Sequence, residues 1–393
     1  MSLSQWDDFP VHQAPELIRH PATSDRNFYD RYYFNMHPCA GDWFAIFGFG
    51  QYPNLGVVDA FVDVRRGGSQ YIVRASAPLG DRRDTSVGPF LVEVVEPLQT
   101  LRIAVDEAWS TLAGGTASRA GPPRVTDASE AQSDDLPVSM DVTWTGHTPA
   151  IAEPRQFIRS REKVVFDTQR LVQTGTWSGT LVVAGEEITV SPEHCWGNRD
   201  RSWGIRPVGE PEPGGIREGE LVLPGMWNYF PMQFADHAVF YICHETDDGT
   251  RPLFQAERVW CDPARPHDDL GPVEHAHRFE PGTRVVRGSL LRFPESGIEI
   301  ECVPLLTNFV SVGTGYGIDA DWRHGMYHGP DPVVQGLVLG VDDVRGIGQY
   351  GIVDHLATFS YGDNVGYGLL EQGFFGPVHR YGMTDALMGA PGS

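Results

Sequence analysis

The chain has 393 residues, 41% apolar and 21% charged, enough hydrophobic side chain for a sizeable core and too much for wholesale disorder. Fifty-two acidic against 30 basic side chains leave a formal charge of −22, which argues against nucleic acid or an anionic bilayer as a partner. Forty-five Gly and 30 Pro argue against a helical bundle and for many short strands.

From the N-terminus, Met1–Asp8 shows neither a basic stretch nor an apolar one, so no signal peptide is expected. No run approaches 18 apolar residues, so no membrane span is expected. Gly48, Gly50 and Gly56 miss the dinucleotide spacing and read as turns or bulges in strands. Gly67-Gly68 reads as a hairpin between strands at 60–65 and 70–74. Leu101, Ile103 and Val105 alternate with polar or small residues, as do Val142 and Trp144. Between them, residues 113–137 are rich in Gly, Ala, Ser, Asp and Pro and read as an insertion loop within a domain. Ala184-Gly185 and Ser296-Gly297 mark two further hairpins. Residues 207–220 carry Pro207, Pro211 and Pro213 with Gly214 and Gly215, and strand patterns resume at 225–234. This places a domain boundary at mid-chain, with one β domain over 1–206 and a second over 207–393. The fold class is all-β.

Much chemistry is missing. Lys163 is the single lysine, so a P-loop lysine is excluded and any Schiff base depends on that residue. No GxSxG elbow occurs. The pairs His275/His277 and His324/His328 lack further ligands at metal spacing. Five scattered cysteines, Cys39, Cys195, Cys243, Cys261 and Cys302, form no CxxC and suggest reduced thiols in a cytoplasmic protein. The expectation is catalysis, if any, with no metal and no cofactor.

The densest polar segment runs from His194 to Pro207 and holds Arg199, Asp200, Arg201, Ser202, Trp203, Gly204 and Arg206. On a strand, Arg199, Arg201 and Trp203 share one face and Asp200, Ser202 and Gly204 the other. Two outcomes follow for Asp200. Paired with a flanking arginine it is a structural anion. Turned into an apolar barrel mouth, its pKa rises and it can act as an acid.

This segment, together with Tyr52-Pro53-Asn54 and Tyr367-Gly368-Leu369-Leu370-Glu371, resembles the AttH/hydroxyneurosporene synthase (carotenoid 1,2-hydratase) superfamily. Within it, the chain is similar to a bacterial branch with an Arg-Asp-Arg/His-Ser-Trp-Gly signature. The resemblance implies two tandem lipocalin-like β-barrel or sandwich domains with a hydrophobic cavity near their junction. It also implies water addition to isoprenoid double bonds or pericyclic ring closure. By position, it matches Asp200 and Trp203, more loosely Trp227, and Tyr241 on the next strand. Where the hydratases resemble Tyr-x-Asp, this chain has Cys243, and His244 or Glu245 substitutes only through a bulge.

Other candidates come from the residues alone. Glu371 is either a solvated strand end or a buried carboxyl with a raised pKa. Trp227, Tyr229, Phe230 and Phe234 are core or ligand wall, and Tyr52 with Asn54 forms a turn or caps a barrel mouth. Asp354 and His355 are adjacent on a strand and face opposite ways, so they form no dyad. The expected catalytic set is Asp200, Tyr241, Glu371 and His244, with Tyr52, Arg199, Trp203, Trp227 and Tyr229 binding substrate. The expected activity is hydration, dehydration or allylic isomerisation of an apolar small molecule such as a terpenoid or polyene alcohol. A non-catalytic carrier and a pericyclase are the alternatives, and a homo-oligomer is compatible with the sequence.

Overall fold

The computed structural model describes residues 21–106, 136–219 and 223–391. The insertion loop expected at 113–137 lies, up to residue 135, outside the described residues. Strand accounts for 57% of the described residues and helix for 4%, arranged as two curled antiparallel sheets. The two half-barrels are the tandem lipocalin-like β domains that were expected. No described helix is long and apolar enough to cross a membrane.

The first sheet grows from Phe28–Pro38 in both directions. On one side come Trp43–Tyr52, Val57–Arg66 and Ser69–Pro78, joined by tight hairpins. On the other come Cys195–Ile205, Lys163–Val183, Val138–Gly146 and Thr100–Val105. The second sheet runs from the short edge strand Asp268–Asp269 through Leu253–Trp260, His237–Glu245, Gly225–Gln233, Asn364–Phe375 and Val353–Tyr361 to Ile298–Asn308 and beyond. The chain leaves the first sheet after Ile205 and enters the second at Gly225. It returns to the first with Val333–Gly340, which pairs along Ser69–Pro78. The hairpins at Gly67-Gly68, Ala184-Gly185 and Ser296-Gly297 stand where the turn residues place them.

Period-two alternation gives three hydrophobic layers. Tyr32, Phe34, Phe47, Trp144 and Trp177 fill the first half-barrel. Phe230, Tyr241, Phe293, Ile300 and Phe359 fill the second. The opposite faces of the same strands meet between the sheets, with Tyr33, Phe44, Ile46 and Val172 against Trp227, Tyr229, Phe240 and Ile242. Each such side chain contributes about 1.5–3 kcal/mol when fully buried. Because both faces are covered, ten of the eleven residues of Phe28–Pro38 are buried.

Gly48 and Gly50 correct one expectation. They lie in the middle of Trp43–Tyr52 with regular pairing on both sides, not in a turn. A Cβ at Gly48 would stand 2.3 Å from the Phe61 ring and 2.8 Å from Arg31 Nη2, and one at Gly50 would stand 2.5 Å from the Tyr52 hydroxyl. The missing side chains make room for Arg31 and Tyr52 between the sheets.

Candidate active site

A cavity of about 760 Å³ lies between the two sheets. Its walls come from Phe28–Pro38, Lys163–Val183 and Cys195–Ile205 of the first sheet and from Gly225–Gln233 and Asn364–Phe375 of the second. Pro207, Val208, Glu210 and Glu212 of the connecting segment form part of the wall. Glu212 is tied to the body by Lys163, by Asn27 Nδ2 at 2.6 Å and by Arg26 at 3.5 Å. The single lysine is thus an ion-pair partner at this wall.

Alternation splits the Arg199–Gly204 segment between two environments. Arg201 faces the first half-barrel, where it pairs with Asp30; both side chains have no exposed surface. Its guanidinium also donates to the Arg31 carbonyl at 2.9 Å and lies 4.3 Å from the centre of the Tyr32 ring. Arg199 donates from Nε to Gln173 Oε1 at 2.9 Å on the same side. Asp200 and Ser202 turn into the cavity. The nearest cation to Asp200 is Arg170 on the neighbouring strand, 4.0 Å away. Burial pushes the Asp200 pKa up, against the pull of Arg170, Arg206, Arg31 and Arg201. Arg170 also meets Glu153 at 3.3 Å and lies 5.5 and 5.3 Å from the Trp227 and Tyr229 rings. Burial raises Glu153 to about 7 despite that arginine.

Across the cavity stands a pair of carboxyls. Asp354 and Glu371 are register partners on adjacent strands and interact directly. Asp354 is fully buried and accepts the Tyr33 hydroxyl at 2.8 Å. Burial, and then the charge of Glu371, hold Asp354 well above the ordinary carboxyl range. Two carboxyls so close in a dry setting lose their protons one after the other, and Asp354, the deeper one, keeps its proton after Glu371 has lost its own. Glu371 faces the cavity and accepts Trp227 Nε1–H at 2.6 Å. Burial raises Glu371 to about 7, opposed by the Trp227 bond and Arg170 and reinforced by Asp200.

A third group borders the same space. Arg31 donates to the Tyr52 hydroxyl at 3.0 Å, and Tyr52 donates to Asp59 at 3.0 Å. Arg206 lies 3.3 Å from His324 Nδ1. His324 Nε2 faces the Thr314 carbonyl at 3.1 Å, which assigns its proton to Nε2 and leaves Nδ1 to accept from Arg206. Burial holds His324 well below the ordinary imidazole range, so it is neutral.

Four of the residues expected from sequence line the cavity: Asp200, Glu371, Trp227 and Tyr229. Tyr52 stands one layer behind, against Arg31. The structure places the other four away from the cavity lining. Arg199 faces the first half-barrel. Trp203 is half-buried and away from the lining. Tyr241 lies in the second half-barrel's core, donating to His275 Nδ1 at 3.0 Å, because on its strand the alternate residues Phe240 and Ile242 face between the sheets. His244 is taken up at the strand end by the Pro224 carbonyl at 2.8 Å. Sequence reasoning missed Asp354, Tyr33, Arg170, Glu153, Arg31 and Arg206. Asp354 was visible as a strand acid, but its partner is across the ladder, not beside it in sequence.

The raised Glu371 pKa has a stability consequence. In the unfolded chain this group titrates near 4.5 and in the folded protein near 7. Between those values the folded state holds a proton that the unfolded state has lost, so stability from this group falls as pH rises through the window. Glu371→Gln removes the effect. Relative to wild type, the variant should gain roughly 1–3 kcal/mol between pH 4.5 and 7.5. Paired urea titrations across that range check this, and a constant difference would refute it.

Among solved structures, the chain is similar to a protein classed as AttH from Nitrosomonas europaea. The identity is 13%, with 89% of this chain and 93% of that chain covered and a TM-score of 0.53. The shared feature is the tandem lipocalin-like fold. Weaker likenesses are to kievitone hydratase from Nectria haematococca and to CghA with Sch210972. The first has 13% identity, 88% of each chain covered and a TM-score of 0.48, and the second 11%, 89% of each and 0.46. No curated protein matches the chain. A family model covers residues 3–131 and 123–384, and the chain belongs to that family, a family of unknown function (DUF8625).

Proposed function

We propose that the inter-sheet cavity is the active site of a lyase or isomerase that works by acid–base chemistry of its own side chains on a largely apolar small molecule. Glu371 carries the proposal: a cavity-facing carboxyl with a pKa of about 7, backed by the protonated Asp354 and oriented by Trp227. A group poised near the working pH is an effective proton donor and acceptor. Glu371 gives its proton to an alkene carbon or to a hydroxyl oxygen, and a C–H or O–H bond forms as the carboxyl O–H breaks. In the second case water departs. The cation that results lies beside the Trp227 and Tyr229 faces and opposite the Asp200 carboxyl. It then loses a neighbouring proton to the Glu371 carboxylate, or takes up water whose extra proton returns there. Hydration, dehydration and allylic shift share this intermediate, and a terpenoid or polyene alcohol is the substrate class that fits it.

The test is incubation with a panel of terpenoid and polyene alcohols in ¹⁸O-labelled water or deuterium oxide. Enzyme-dependent ¹⁸O in a product hydroxyl, or deuterium on carbon, is the expected result. Tight binding of panel members without label transfer would instead identify a carrier, and ring closure without label a pericyclase.

A further inference from the structure

The arginines around the cavity are not equally satisfied. Arg170 meets Glu153 and Asp200, and Arg26 meets Glu210 and Glu212. Arg31 and Arg206 also line the cavity, and among the described residues neither has a carboxylate within ion-pair distance. Arg31 is 3% exposed, and its Nη2 makes no hydrogen bond. The acid nearest to it by bonding is Asp59, behind Tyr52. Both Asp59 oxygens are already used, one by the Tyr52 hydroxyl and one by the Gly325 N–H at 2.6 Å. Arg206 is held by neutral His324 and lies 4.5 Å from the Tyr29 ring centre. Both guanidiniums act on the same neighbours, Tyr316 and His324, so they belong to one region of the wall. Asp59 and Asp200 act on both guanidiniums from beyond contact distance. A buried guanidinium whose counter-charges stay out of contact, as at Arg31, is costly.

We propose that the ligand of this cavity carries an anionic head group, a carboxylate, that docks at Arg31 and Arg206 while its apolar body lies along Trp227 and Tyr229. This rests on the reading of the cavity as the substrate site and narrows its substrate class to an amphipathic acid. The planar guanidinium fork suits a carboxylate, which accepts two parallel N–H bonds. Docking at that end also sets direction, with the head at the arginines and the unsaturated body at Glu371.

The experiment is calorimetric titration of the full chain with farnesoic acid, farnesyl monophosphate and farnesol. Farnesoic acid should bind about tenfold or more tightly than farnesol, as a charge-assisted bond to a buried arginine implies. Arg206→Met keeps the stem and should abolish that preference while moving farnesol affinity less than about twofold. Arg206 is only half-buried, so the variant is expected to fold, and its melting curve verifies this. A phosphate probe that outbinds the acid would overturn the carboxylate assignment and leave an anion site. Equal or tighter binding of farnesol, an acid preference surviving in Arg206→Met, or binding of none of the three overturns the proposal. Binding and label transfer are separate readouts. Lost acid preference with intact label transfer sinks only this inference, and acid preference without label transfer sinks only the proposed reaction.

Discussion

Glu371→Gln is expected to lower turnover by about 10²–10⁴ with the fold intact. Glutamine keeps the shape, and its carbonyl still accepts the Trp227 indole N–H that Glu371 Oε1 accepts at 2.6 Å. What it loses is the titrating proton and the coupled titration with Asp354. The wild-type rate should fall as pH rises through about 7, where Glu371 surrenders its proton. The residual rate of the variant should lack that limb. Asp200→Asn provides the comparison: it replaces the carboxyl facing the developing cation but not the donor, so its pH profile should keep the limb. Unchanged label transfer in Glu371→Gln would assign the acid elsewhere.

The largest stability effect is expected at Asp30. Its carboxylate and the Arg201 guanidinium pair with no exposed surface on either side chain. Asp30→Ala strands a buried guanidinium and should destabilise the protein by about 3–5 kcal/mol. Asp200→Asn, one residue from Arg201, should change stability far less, because burial already disfavours its charged form and its nearest cation is 4.0 Å away. The contrast tests whether the motif really divides between a structural face and a chemical one. Urea midpoints for both variants measure it, and similar losses at the two sites would contradict the division.

Much of this architecture is legible in the chain. Alternation at Arg199–Gly204 separates the two arginines from Asp200, and the structure keeps them on opposite faces. The Gly67-Gly68, Ala184-Gly185 and Ser296-Gly297 turns mark real hairpins, since their backbone demands are local. What the chain hides is set by register and packing. Tyr33 finds Asp354 at a separation of 321 residues. Asp354 meets Glu371 only once two strands are paired. Tyr241 reads as a wall residue until parity assigns it to the second core, and Gly48 and Gly50 read as turns until Arg31 and Tyr52 fill the space above them. Period-two patterns tell two faces of a strand apart, but in a back-to-back pair of sheets both faces are buried. The pattern alone does not tell which one meets the cavity.

The proposed chemistry turns on a proton that Glu371 keeps up to about pH 7 in a wall of the cavity. Infrared difference spectra of wild type against Glu371→Gln, taken as pH is raised, follow its carboxyl band directly and need no substrate. A protonated-carboxyl band, absent from the variant, should disappear with a midpoint near 7. A midpoint near the ordinary 4.5 would contradict it.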